Sequence, residues 1–150
     1  MSETVQIGSS VRKFKFNELA KSGGDGIAAI VENYGVVYVT SVTRDGCSGC
    51  TEQKPMFEEL ARKVTGENQA RTVFNNIHVS YDKSAQAESE QAKKTFRHIA
   101  YPTYMIHLKS RFGILEAYRA VYPKMEDIEK QITETFETAD FYREDAEKHA

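Results

Sequence analysis

The order of segments along the chain predicts an α/β protein, a three-layer α/β/α arrangement with a mixed central sheet. Three observations carry that prediction. Gly35 to Val42 is a continuous β-branched and aromatic run, the pattern of a strand buried on both faces. Stretches of helical period alternate with the apolar runs, as crossovers between parallel strands require. Near the end, two short apolar runs are separated only by Lys109-Ser110-Arg111-Phe112-Gly113, a linker of hairpin length, so this pair is antiparallel.

The elements follow in order. Val5 to Phe16 alternates loosely and holds a first strand. Asn17 to Asn33 is helical in parts and broken at Ser22-Gly23-Gly24; Ile27, Ala28, Ile30 and Val31 give its second half an apolar face, and Gly35 stops it. After the buried strand, Thr43 to Gly49 is a loop. From Cys50 the period becomes helical, with Met56, Phe57, Leu60, Ala61 and Val64 on one face and Gly66 at the exit. Thr72 to Tyr81 reads as a strand interrupted by Asn75-Asn76. Ser84 to His98 is a polar helix with Ala85, Ala92 and Phe96 as its core contacts. Thr103 to Leu108 and Ile114 to Ala120 form the hairpin. Pro123 opens a last helix, with Met125, Ile128, Ile132, Phe136 and Ala139 at helical spacing, and the charged tail from Tyr142 is expected to fray.

The chain has 150 residues, enough for one domain with a real core over about residues 11–138, and its composition is globular: 40% hydrophobic and 28% charged. A formal charge of −2 gives no reason to expect nucleic acid or an anionic membrane as partner. No apolar run approaches the ~20 residues of a membrane span. Met1-Ser2-Glu3-Thr4 lacks a basic and then apolar signal segment, and cysteine usage makes a reducing cytoplasm the expected compartment. There are only two cysteines, side by side, which excludes a disulfide-stapled scaffold.

Those two cysteines form the most informative motif, Cys47-Ser48-Gly49-Cys50. A C-x-x-C beside a β-α-β pattern reads as a dithiol/disulfide redox centre. Half of a zinc site is the competing reading. Zinc wants four ligands, though, and His78, His98, His107 and His149 are scattered without ligand spacing. No metal or other cofactor is expected.

With these residues assembled, the chain resembles the thioredoxin-like family from about Val11 to about Thr138. The C-x-x-C lies between a buried strand and a helix. Pro55 falls five residues after Cys50, where thioredoxins carry a helix-kinking proline, and Met56-Phe57-Glu58-Glu59-Leu60-Ala61 matches the apolar pattern that follows it. Tyr101-Pro102-Thr103 stands at the position of the family's cis-proline, and Phe112-Gly113 resembles the turn of its hairpin. The chain departs from the family in its Ser-Gly spacer and in having no Trp. It also has Ser41 where thioredoxins bury a carboxylate, six residues before the first cysteine, and a longer stretch between Cys50 and Pro102.

The resemblance implies a thiol–disulfide oxidoreductase acting on disulfide-containing protein substrates and served by an unidentified electron donor. Cys47 at the loop-to-helix junction is the expected nucleophile, because helix N–H groups and the dipole favour a thiolate there. Cys50, one turn in, is the expected resolving thiol. Tyr101 and Pro102 are the expected substrate-binding residues; Tyr101 is equally readable as a half-buried strand residue. Lowering a thiol pKa from ~8.5 to ~7 raises its thiolate fraction roughly 15-fold at neutral pH. The accompanying loss of nucleophilicity returns roughly 5-fold of that. Positioning of the partner against Cys47 therefore contributes more than acidity does. Gly49 adds flexibility to the reduced form, which points to a centre more oxidising than a Gly-Pro spacer gives.

With Ser41 in place of an acid, the proton of Cys50 needs another acceptor. Asp45 and Arg44 act on the Cys47 thiolate in opposite senses, and His78 either approaches Ser41 or is a hydrogen-bonded strand histidine. A non-catalytic binding module that uses the surface around Pro102 is the alternative function. A thiol peroxidase lacks a recognisable Thr or Arg constellation here.

Overall fold

The computed structural model describes residues 10–21, 26–68, 71–81, 86–98 and 100–150. The elements run β1 (Val11–Lys15), α1 (Phe16–Lys21), α2 (Ile27–Ile30), β2 (Val37–Arg44), α3 (Ser48–Asn68) and β3 (Thr72–Val79). They continue with α4 (Gln86–Phe96), β4 (Thr103–Ser110), β5 (Gly113–Val121) and α5 (Met125–Lys148). The strands form one sheet in the order β1-β3-β2-β4-β5. β3 pairs parallel to β1 and to β2, while β4 pairs antiparallel to β2 and to β5. This is the mixed sheet that the segment order predicts.

Strand β2 lies in the middle, and Val37 to Val42 are all buried. Because side chains alternate along a strand, β2 feeds two cores. Val37 and Val39 join Phe57, Leu60, Val64, Phe74, Ile128 and Ile132 on the side covered by α3 and α5. Tyr38 and Val42 join Phe16, Leu19, Ile30, Ile77, Ala92 and Phe96 on the side covered by α1, α2 and α4. Pro55 sits inside α3 and removes the backbone bond that would run back to Thr51.

Several boundaries differ from the sequence reading, each for a physical reason. Asn75-Asn76 does not interrupt β3. Asn75 is held on one face by Arg12 Nε at 2.7 Å and donates to Thr40 Oγ1 at 3.3 Å, and Asn76 is satisfied on the other face. α3 passes through Gly66 and ends at Asn68, and α4 ends at Phe96. The tail does not fray: α5 continues to Lys148. Arg71 and Asp140 meet at 2.6 Å, Arg111 reaches Asp145 at 2.8 Å, and Tyr142 packs against the core. The first strand's expected beginning at Val5, the Ser22-Gly23-Gly24 break and Ala85 lie outside the described residues.

His98 is 4% exposed, and neither ring nitrogen has a partner among the described residues. Burial, with Lys93 and Arg119 nearby, lowers its pKa to about 4. An unfolded histidine titrates near ~6.5, so between these values the unfolded chain binds more protons. Stability is then complete above about pH 6.5 and falls towards about pH 4, by on the order of 3 kcal/mol from this residue. His107 is shifted down by burial too, in the same sense. Urea denaturation across this range should show the loss, and His98→Phe should shrink it. An undiminished loss in the variant would place the acid sensitivity elsewhere.

Candidate redox site

The end of β2 and the start of α3 build the site. Asp45 and Gly46 make the turn, with Gly46 at φ 72°, a left-handed conformation that suits glycine. Cys47 directly precedes α3 and Cys50 lies in its first turn. The two sulfurs are joined in a disulfide, with Cα atoms 5.2 Å apart. The Cys50 N–H donates to Cys47 Sγ at 3.1 Å, so a helix-start amide points at the outer sulfur. The Cys47 carbonyl accepts from Thr51 N at 3.1 Å and fixes the first turn. Cys47 is half-buried, whereas Cys50 is only 6% exposed.

Pro102 stands against this turn. A Cβ placed on Gly49 would lie 3.4 Å from Pro102 Cδ, and the Tyr101–Pro102 peptide bond is cis. The structure thus brings Cys47, Cys50 and Pro102 together. The Tyr101 side chain goes elsewhere. Its hydroxyl is 3.1 Å from Ser89 Oγ on α4, its ring meets His98 edge-on at 4.6 Å, and it packs with the core on the α4 side of the sheet. Burial raises its pKa. Arg44 lies over the Tyr81 ring at 4.1 Å and the Tyr101 ring at 5.3 Å, which gives this rim of the site a positive charge.

Tyr122 belongs to the site and was not foreseen. Its ring covers Gly49, with ring carbons 3.1 and 3.2 Å from where a Cβ would sit. Its N–H donates to the Pro102 carbonyl at 3.0 Å, and its hydroxyl donates to Glu52 Oε1 at 2.7 Å. It holds φ 50°, which bulky side chains seldom adopt. In the sequence it closes a strand before a proline, and no pattern marks it as facing the cysteines.

Ser41 is 2% exposed, on the α3 side of the sheet. His78 does not approach it. The ring lies 2.9 Å from Thr43 Oγ1 and 2.7 Å from Asp45 Oδ1, and the Asn76 amide is what donates to Ser41, at 2.9 Å. No group of three or more His, Cys, Asp or Glu suited to a metal ion occurs among the described residues. No helix among them is long and apolar enough to cross a membrane.

The fold and the disulfide together define a thioredoxin-fold protein with a C-x-x-C pair at a helix start. Solved structures agree. A thioredoxin from Nicotiana alata superposes with a TM-score of 0.60 at 18% identity, over 88% of this chain and 97% of that one. A thioredoxin from Malassezia sympodialis gives 0.59 at 16% identity, over 91% and 99%. One from Fasciola hepatica gives 0.56 at 20%, over 82% and 97%. No protein-family model and no curated sequence matches the chain.

Gly46 has open space around it, since a Cβ there would meet nothing within 4 Å. Gly46→Ala is therefore expected to cost only the left-handed strain, about 1–2 kcal/mol. Gly46→Asn should cost less. Urea denaturation of the oxidised protein measures both, and an alanine variant as stable as the parent would show that the turn relaxes.

Proposed function

We propose that the chain is a thiol–disulfide oxidoreductase that reduces disulfides in protein partners, with electrons supplied by a separate reductant. The observation that carries this reading is the unequal exposure of the two sulfurs at the start of α3: Cys47 half-buried, Cys50 6% exposed. The Cys47 thiolate attacks a partner disulfide, and one partner sulfur leaves as a thiolate. Cys50 then attacks Cys47 Sγ, the Cys47–Cys50 bond forms, and the second partner sulfur leaves. Two electrons pass from the dithiol to the partner.

In this reading Pro102 and the backbone of Tyr101 form the surface against which an extended partner segment lies, beside the ring of Tyr122. The Tyr101 side chain supports that surface from the α4 side through Ser89 and His98. The chain's two cysteines form this one pair, which suits a reducing compartment such as the cytoplasm, where such a dithiol stays reduced between turnovers.

Insulin reduction with dithiothreitol tests the reading. Cys47→Ser should abolish the catalysed rate, and turnover unchanged by it would refute the catalytic role. Equilibration with glutathione should give a potential above about −270 mV, because Gly49 leaves the reduced form more entropy than a proline would. A potential clearly below that value would contradict the spacer argument.

A further inference from the structure

Cys50 is buried and must lose its proton before it can attack the mixed disulfide at Cys47. At the floor of the site stand two uncharged hydroxyl side chains, Ser41 and Tyr104, in register on β2 and β4. A cleft of about 650 Å3 opens from that floor, and Cys50, Ser41, Thr43, Asp45, Asn76 and His78 all line it.

The sheet register orders these groups. Ser41 lies beside Asn76 and Thr43 beside His78 on the parallel strands β2 and β3. Alternation turns all four towards α3, on the same face as Val39 and Phe74. The Asn76 amide donates to Ser41 Oγ at 2.9 Å and to Thr43 Oγ1 at 3.0 Å. Thr43 Oγ1 lies 2.9 Å from His78 Nδ1, and His78 Nε2 lies 2.7 Å from Asp45 Oδ1.

Donor arithmetic sets the tautomer. Thr43 accepts from Asn76, so its own hydroxyl hydrogen is available to His78 Nδ1. Asp45 as a carboxylate only accepts, so Nε2 carries the ring hydrogen. The neutral ring therefore presents a basic Nδ1 on the Thr43 side, towards the cleft, and an imidazolium would be held by Asp45 behind it. Asp45 is itself fixed by Tyr81 N–H at 3.1 Å, and its pKa is lowered, first by the His78 hydrogen bond. Burial orders the path, from Ser41 and Cys50 at the floor to the side chains of His78 and Asp45, 39% and 53% exposed, at the mouth.

We propose that the Asp45–His78 pair accepts the proton of Cys50 across this cleft, through water aligned by Ser41, Asn76 and Thr43. The proposal rests on the oxidoreductase reading above. The Cys50 S–H bond breaks, its proton passes through water to Thr43 Oγ1, and Thr43 hands its own hydroxyl hydrogen to His78 Nδ1. The Cys50 thiolate attacks Cys47 Sγ, the Cys47–Cys50 bond forms, and the bond to the partner breaks with its electron pair on the partner sulfur. The imidazolium then returns its proton to solvent or to that leaving thiolate.

Charged groups of both signs line the cleft around the ring, and the Tyr104 hydroxyl faces it from β4. Lys15 is in register with His78 on β1, and Lys54 on α3 and Arg44 on β2 also line the cleft; these oppose an imidazolium. Glu18 on α1 favours it, and Lys13 and Glu58 neutralise each other at 2.7 Å.

The test separates the two chemical steps by rapid quench and mass spectrometry, with oxidised glutathione as the probe. In a Cys50→Ser background only the Cys47–glutathione disulfide forms, and His78→Gln should leave its rate within about twofold. With Cys50 intact, His78→Gln should slow release of the second glutathione about tenfold or more near neutral pH. The deficit should shrink as pH rises and the thiol ionises unaided. Asp45→Asn should slow release in the same pH-dependent way, by less. Slowing that is equal at every pH, or equal in both steps, would overturn the proposal, as would release unaffected by either variant. Failure of the parent to form any mixed disulfide would instead defeat the oxidoreductase reading, and shows before any variant is made.

Discussion

Strand β2 is buried on both faces, and the position of the dithiol depends on that constraint. A strand held by β3 on one side and β4 on the other, with core above and below, cannot slip in register without turning its apolar set the wrong way. Its end at Arg44 is therefore fixed. The Asp45–Gly46 turn has one place to start, and α3 must begin where Cys47 sits. The unequal exposure of the two sulfurs follows, because one turn of helix carries Cys50 down towards Phe57 and the sheet while Cys47 stays at the rim.

The same alternation carries a polar motif into the apolar layer. Ser41 and Thr43 occupy positions on the α3 side that Val37 and Val39 occupy further back, and Asn76 and His78 stand opposite them on β3. Buried polar groups are costly unless paired. Here the Asn76 amide serves two hydroxyls at once, and His78 spans Thr43 and Asp45. The apolar core ends where this network begins, and the cleft beneath Cys50 occupies that boundary.

Much of this was legible in the sequence. The β-branched run at Val36–Val42 marks the central strand, the short Lys109–Gly113 linker marks the hairpin, and the lone C-x-x-C marks the site. The residues that complete the site were not legible, for reasons of geometry. Asn75-Asn76 resembles a turn by residue type, yet its two amides point to opposite faces and each finds partners more than thirty residues away in sequence. Tyr122 is marked by a backbone angle, which composition does not report. The tail from Tyr142 looked solvated because its charges are dense. Its order comes from pairs between distant elements, such as Arg111 with Asp145, which no local pattern shows. Local sequence predicts elements that bury their own faces, and it is silent on polar contacts made between distant elements.

The central claim is that one sulfur of the pair is presented and the other protected. Limiting alkylation of the fully reduced protein, with the modified residue located by mass spectrometry, tests it most directly. Single modification at Cys47, with Cys50 modified only in denaturant, is the result this account predicts. Equal labelling of the two cysteines, or labelling first at Cys50, would contradict it.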